Sequence, residues 1–376
     1  MKTGLSLPLA ALLVGAALGL AGCSTTPVTD PRGAAGGAER VRSTASVPMD
    51  KALEDRILAL DPDTVTGRDV RETLARGPVP RIMLLHGGVY GVHLLMESFA
   101  EFLSAMGYPI DRIRDAGDGG LSYSPYASAA QQAGILAWYY EQEGVRAMLV
   151  GHSQGGIQAV KILHELAGSY GDHLHVVNPV TGLDEARTTI VDPLTGRERP
   201  VIGLSVAYAS VVGTGGWSLA LPVHWSVLPH ARTIPDVIDE FTSYRIGVDF
   251  FAWDIPGLEG LKTFTAVGKT NIRNLTLPAS YSHVFVPGTA HLAEDPAMKA
   301  WIDAFDPRIP ANWTPPPELD RASVLWAADV WHSIKKHWTL ESQRLIRARR
   351  AGQAKPGGRW AVPSANTGAR SAKVPR

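Results

Sequence analysis

The chain has 376 residues, with 36 basic and 36 acidic side chains, 45% hydrophobic and 19% charged content. Disorder throughout is excluded by that composition, and zero net charge excludes a global electrostatic attraction to nucleic acid. The single cysteine excludes an intramolecular disulfide framework and a cysteine-rich metal site, and the length suffices for a sizeable core in one large domain or two small ones.

At the N-terminus Lys2 is followed by an apolar run over 5–20 and by Leu20-Ala21-Gly22-Cys23. The run is shorter than the roughly 20 residues that span a bilayer, and Ser, Thr and Pro follow it, so it reads as a processing segment. These residues resemble a bacterial lipoprotein signal, in which the cysteine is acylated and becomes the first mature residue. The resemblance implies a signal peptide over 1–22, lipidation at Cys23 and a membrane anchor there. Ser24 implies a cell-envelope address at the outer membrane, facing the periplasm. Residues 23–47, rich in Thr, Pro, Gly and Ala, read as a flexible tether.

Short apolar runs then alternate with longer amphipathic ones, which predicts an α/β fold: a mostly parallel sheet with helices on both faces. Arg81-Ile82-Met83-Leu84-Leu85 is a strand closed by His86-Gly87-Gly88, and a helix follows to Met106. A helix from Ser128 to Glu143 leads into a strand at Ala147-Met148-Leu149-Val150. Next comes Gly151-His152-Ser153-Gln154-Gly155, then a helix to Leu166. A serine held on a sharp strand-to-helix turn needs glycines two residues away on either side, because side chains there would collide with the strand and helix. The positive end of the helix would favour an oxyanion beside it.

The motifs at 151–155 and 86–88 resemble the α/β-hydrolase family, particularly its lipases and esterases, over roughly residues 80–306. The resemblance implies Ser153 as nucleophile and the backbone N–H groups of Gly88 and Gln154 as the oxyanion hole. It places a histidine after the last strand. Ser282 to Gly288, read as a strand and glycine turn, makes His291 the expected general base, with His283 expected at the opposite end of the sheet. The acid should follow the seventh strand, but Thr263 to Val267, the best candidate strand, leads into Gly268-Lys269-Thr270-Asn271 without a carboxylate. Asp254, among aromatic residues, is the first choice; Asp249 and an orienting Asn271 are the alternatives.

After a sixth strand over Ile202 to Val212, residues 213–235 are apolar yet broken by Gly and Pro, with Trp217 and Trp225 among them. They read as a lid-like insertion as readily as core. Thr188 to Val201 reads as a surface hairpin. The hydrolase domain is expected over 48–306, a helical extension over 307–342 and a basic, disordered tail over 343–376 with affinity for an anionic envelope surface. These features predict a serine hydrolase of carboxylic, lipidic esters that needs no metal and no organic cofactor. A transacylase or thioesterase is the second enzyme reading, and a binding lipoprotein that has lost its acid is the rival outside enzymes.

Overall fold

The computed structural model describes residues 49–89, 91–252 and 263–352. The expected signal peptide, Cys23, the tether to residue 47, Asp254, residues 353–376 of the expected tail and the Trp217 side chain lie outside what is described.

Helices α1 (Lys51–Ala59) and α2 (Gly67–Glu72) precede strand β1 (Ile82–Leu85) and helix α3 (Val92–Met106). Helix α4 (Ala129–Glu143), strand β2 (Met148–His152) and helix α5 (Gln154–Leu166) follow. A hairpin of β3 (Thr189–Val191) and β4 (Glu198–Pro200) leads to β5 (Val206–Val212). Then come β6 (Thr233–Pro235), β7 (Ile238–Ile246), β8 (Thr265–Val267), β9 (Asn271–Leu277), α6 (Pro296–Ala304) and α7 (Val324–Arg350).

Five strands pair in parallel in the order β1-β2-β5-β7-β9, while β6 and β8 form a separate two-stranded ladder. The first three members of the sheet are unbroken buried runs, as a sheet covered on both faces requires. Side chains alternate between the faces, so Ile82 and Leu84 join the core under α3 and α7, while Met83 and Leu85 join the core under α4 and α5. The predicted α/β architecture is therefore present.

Two elements differ from expectation. The strand beyond β5 is β7, not Thr263 to Val267; the latter, β8, is exposed and pairs with β6 outside the main sheet. β7 lacks an apolar run because it buries Glu240, Thr242 and Ser243 beside Ile238 and Phe241. Helix α7 supplies the partner of Glu240 and a carboxylate for its neighbours Tyr244 and Arg273. Lys336 Nζ lies 3.0 Å from Glu240, the Tyr244 hydroxyl donates to Asp329, and Arg273 on β9 forks onto Asp329 at 2.7 and 2.9 Å.

The second difference is α7 itself. It continues through residue 343, the expected start of a disordered tail, to Arg350, because its cations have partners. Arg344 contacts Glu341 at 2.6 Å, and Arg350 reaches Glu54 and Asp55 of α1 at 2.9 and 2.7 Å. Trp326, Trp331 and Trp338 are wholly buried, so this helix belongs to the body and is not an appendage. Its C-terminal turns sit at the edge where the strands begin, since Glu341 accepts from the Arg146 N–H at 2.7 Å and Arg344 donates to Gly144 O at 3.1 Å, both just before β2. Among the described residues no helix is long and apolar enough to cross a membrane.

Candidate active site

The site lies at the opposite edge, where the strands end. β2 runs straight into α5 through Ser153, which adopts φ 55° and ψ −118°, a left-handed conformation costly for a residue with a Cβ. Its own N–H is tied to Val212 O of β5 at 2.8 Å, which fixes the turn against the sheet. The flanking glycines are required by close approach. A Cβ on Gly151 would stand 2.5 Å from Gly155 O, and one on Gly155 would overlap Leu85 O of β1. The turn therefore aims the Ser153 hydroxyl out of the sheet edge, at the positive end of α5.

His283 meets that hydroxyl. Its Nε2 lies 2.9 Å from Ser153 Oγ, and its Nδ1 lies 2.6 Å from Asp249 Oδ2. Asp249 Oδ1 accepts from the N–H groups of Phe251 and Ala252, both at 3.0 Å, so both carboxylate oxygens are engaged. The Asp249 side chain is 1% exposed. Burial would raise its carboxyl, but the His283 contact and the two amide hydrogen bonds outweigh burial and hold it below the usual range, hence ionised. Gly213, at φ 61°, passes under this pair, and a Cβ there would meet the His283 ring at 2.9 Å.

Across the serine, the loop after β1 brings Gly88 against the other end of the site. The Gln154 side chain occupies the space that a Cβ on Gly88 would need, and the Tyr126 hydroxyl donates to Gly88 O at 3.0 Å. The N–H groups of Gly88 and Gln154 donate to no other group among the described residues. Two unengaged donors thus stand on the residues beside the serine turn.

The structure brings Ser153, Gly88 and Gln154 together as the sequence suggested, but His291 does not join them. It is exposed in a short 3-10 turn, Ala290–Ala293, and the place on Ser153 is taken by His283. Ser282 to Val286, expected as a strand, is not one. The last strand of the sheet is β9, which ends at Leu277, so His283 follows it and stands at the same edge as Ser153. Asp249 follows β7 in the same way, three residues after Ile246. Asp254 lies outside the described residues, and the carboxylate on His283 is Asp249, the alternative. Asn271 opens β9 at the far edge and is not near His283. β7 and β9 were recoverable from their Ile, Phe, Thr, Tyr and Leu content, had buried polar residues been allowed for.

The region expected as a lid forms two 3-10 helices, Gly216–Ala220 and Pro222–His230. It packs on α5, where Lys161 donates to Val223 O at 2.9 Å. His224 and Val227 are buried, while Trp225 is 58% exposed. Among the described residues no group of histidine, cysteine and carboxylate side chains has the arrangement to hold a metal ion.

No protein-family model and no curated protein matches the chain. A solved structure of a protein of unknown function from Agrobacterium tumefaciens, described provisionally as an alpha/beta hydrolase, aligns with 64% of this chain and 90% of its own. The identity is 15% and the TM-score 0.30. What the chain has in its own right is an α/β sheet whose ends converge on Ser153, His283 and Asp249.

Proposed function

We propose that the chain is a serine hydrolase that cleaves carboxylic esters through an acyl-enzyme. The observation that carries the reading is the unbroken hydrogen-bonded line from Asp249 through His283 to Ser153. In this mechanism His283 Nε2 takes the proton from Ser153 Oγ as that oxygen attacks the ester carbonyl. Asp249 stabilises the imidazolium and holds its tautomer. The Gly88 and Gln154 N–H groups receive the oxyanion, His283 returns the proton to the departing alcohol, and water admitted by the same base releases the acid.

A lipidic ester is the substrate class that the surroundings favour. Val89, Phe250, Phe251 and Phe285 are 71%, 72%, 61% and 63% exposed and lie within two residues of Gly88, Asp249 or His283. An apolar rim of this kind suits a hydrocarbon chain. A cell-envelope address through a lipidated Cys23 belongs to the same reading and rests on residues 20–24 of the sequence. The binding-lipoprotein alternative relied on a missing acid, and Asp249 weighs against it. Labelling with a fluorophosphonate probe tests the enzyme reading without assuming a substrate. Wild-type protein is expected to label and Ser153→Ala protein not to; a well-folded wild type that fails to label sinks the reading.

A further inference from the structure

The base stands on an irregular stretch. Between Leu277 and the 3-10 turn at Ala290–Ala293, the described main-chain hydrogen bonds are local, such as Tyr281 N–H to Pro278 O at 3.0 Å and Val286 N–H to Ser282 O at 3.1 Å. Such a segment does not by itself fix a ring to within the fraction of an ångström that proton transfer requires. One side chain of the sheet reaches it. His152, the last residue of β2, places Nε2 2.7 Å from the main-chain oxygen of His283. A carbonyl can only accept, so His152 carries its proton on Nε2 and donates.

We propose that His152 is a positioning residue for the base, bracketing the His283 main chain so that the His283 ring spans Ser153 and Asp249. The inference rests on the serine-hydrolase reading above and adds to it a fixed support for one member of the triad. The His152 ring is 1% exposed and is wedged between two parts of the site. On one side it leans on the His283 ring, with centroids 5.2 Å apart and planes at 49°. On the other, a Cβ added to Gly87 would come within 3.1 Å of its Nδ1, so the turn carrying Gly88 rests against it. Its direction is set by the chain itself, because the next residue is Ser153, whose N–H is bonded to β5.

Burial pushes the His152 imidazole down to about 3, with the neighbouring His283 acting in the same direction. The ring therefore stays neutral across the range in which an ester hydrolase works. It keeps its single donor on the carbonyl and adds no second positive charge beside the imidazolium that forms in turnover. Its Nδ1 has no hydrogen-bond partner among the described residues, as expected of a ring retained for one bond and its shape.

Two variants test this. His152→Phe keeps a ring and removes the donor, whereas His152→Gln keeps an amide N–H near the position of Nε2. Steady-state kinetics on a soluble ester, urea midpoints and the downfield proton resonance of His283 Nδ1–H bound to Asp249 are measured for each. In the Phe variant kcat is expected to fall by about 100-fold with KM little changed, and the proton resonance to broaden or vanish. The Gln variant is expected to recover most of both. Wild-type kcat and resonance in the Phe variant would overturn the proposal. So would equal losses in both variants that track their loss of stability. The resonance needs no substrate. A wild type that fails to label therefore counts against the hydrolase reading, while the behaviour of that resonance in the variants still decides for or against the bracket.

Discussion

At Asp249 two oxygens do separate work. One takes the two main-chain N–H groups that hold the carboxylate in place, and the other faces the imidazole. Replacing the carboxylate by an amide of the same shape should keep the fold but present a donor or a neutral acceptor to Nδ1, allowing the wrong tautomer. For Asp249→Asn the expected loss in kcat is on the order of 10⁴-fold. His291→Ala, at an exposed position in the 3-10 turn beyond His283, is expected to leave kcat and KM at wild-type values. Parallel ester assays of the two variants check this, and an inactive His291→Ala protein with intact stability would return that histidine to the mechanism.

Helix α7 is the element that runs furthest beyond its expected end. Trp338 is fully buried, its Nε1 donates to Pro78 O at 2.9 Å, and its ring meets Tyr108 edge-on at 4.8 Å. Trp338→Ala should therefore remove a large buried aromatic and one of the two hydrogen bonds on Pro78 O, the other coming from Ser342 Oγ at 2.8 Å, at a cost of about 3–5 kcal/mol, read from urea unfolding. A loss well under 1 kcal/mol would mean that the helix is peripheral after all. The sequence was legible where a strand is uniformly apolar: β1, β2 and β5 were each found, along with α3, α4, α5 and the hairpin of β3 and β4. It was misread where polarity is buried. β7 buries Glu240, whose partner Lys336 comes from a helix some 90 residues later, and no local pattern announces that. With β7 unrecognised, the acid is sought after the wrong strand, and a strand expected over Ser282 to Val286 moves the base from His283 to His291. The serine and its oxyanion turns escaped because their signals, glycines at fixed spacing beside apolar strands, are local.

For the molecule as a whole, the buried ion pairs predict an acid-sensitive fold. Burial would raise the carboxyls of Glu240 and Glu341, but contacts with neighbouring basic side chains outweigh it: His337 and Lys336 for the first, Arg344 and Arg146 for the second. Both are held below the ordinary value when folded, so the unfolded chain binds more protons in acid and stability falls as pH falls. Their contribution should be complete above the unfolded carboxyl range of about 4 and be lost as pH drops through the folded values. Asp329 runs the other way, since burial outweighs Arg273 and raises its carboxyl. Urea midpoints between neutral pH and pH of about 3 are expected to fall on acidification, with a shallower fall in Glu240→Gln protein. An identical slope in that variant would remove Glu240 from the account.

The pairing of Arg350 with Glu54 and Asp55 has a further bearing, on how the chain could be rewired. The two ends of the described body meet there, at the edge of the sheet remote from Ser153. Circular permutation is consequently open to this fold: a short linker can join residue 352 to residue 49, and new termini can be cut in the surface turn between β3 and β4. A permuted chain of that kind would keep all five strands of the main sheet in their present neighbourhood. Equally, a surface or carrier protein joined at residue 49 or residue 352 would attach at the edge remote from Ser153.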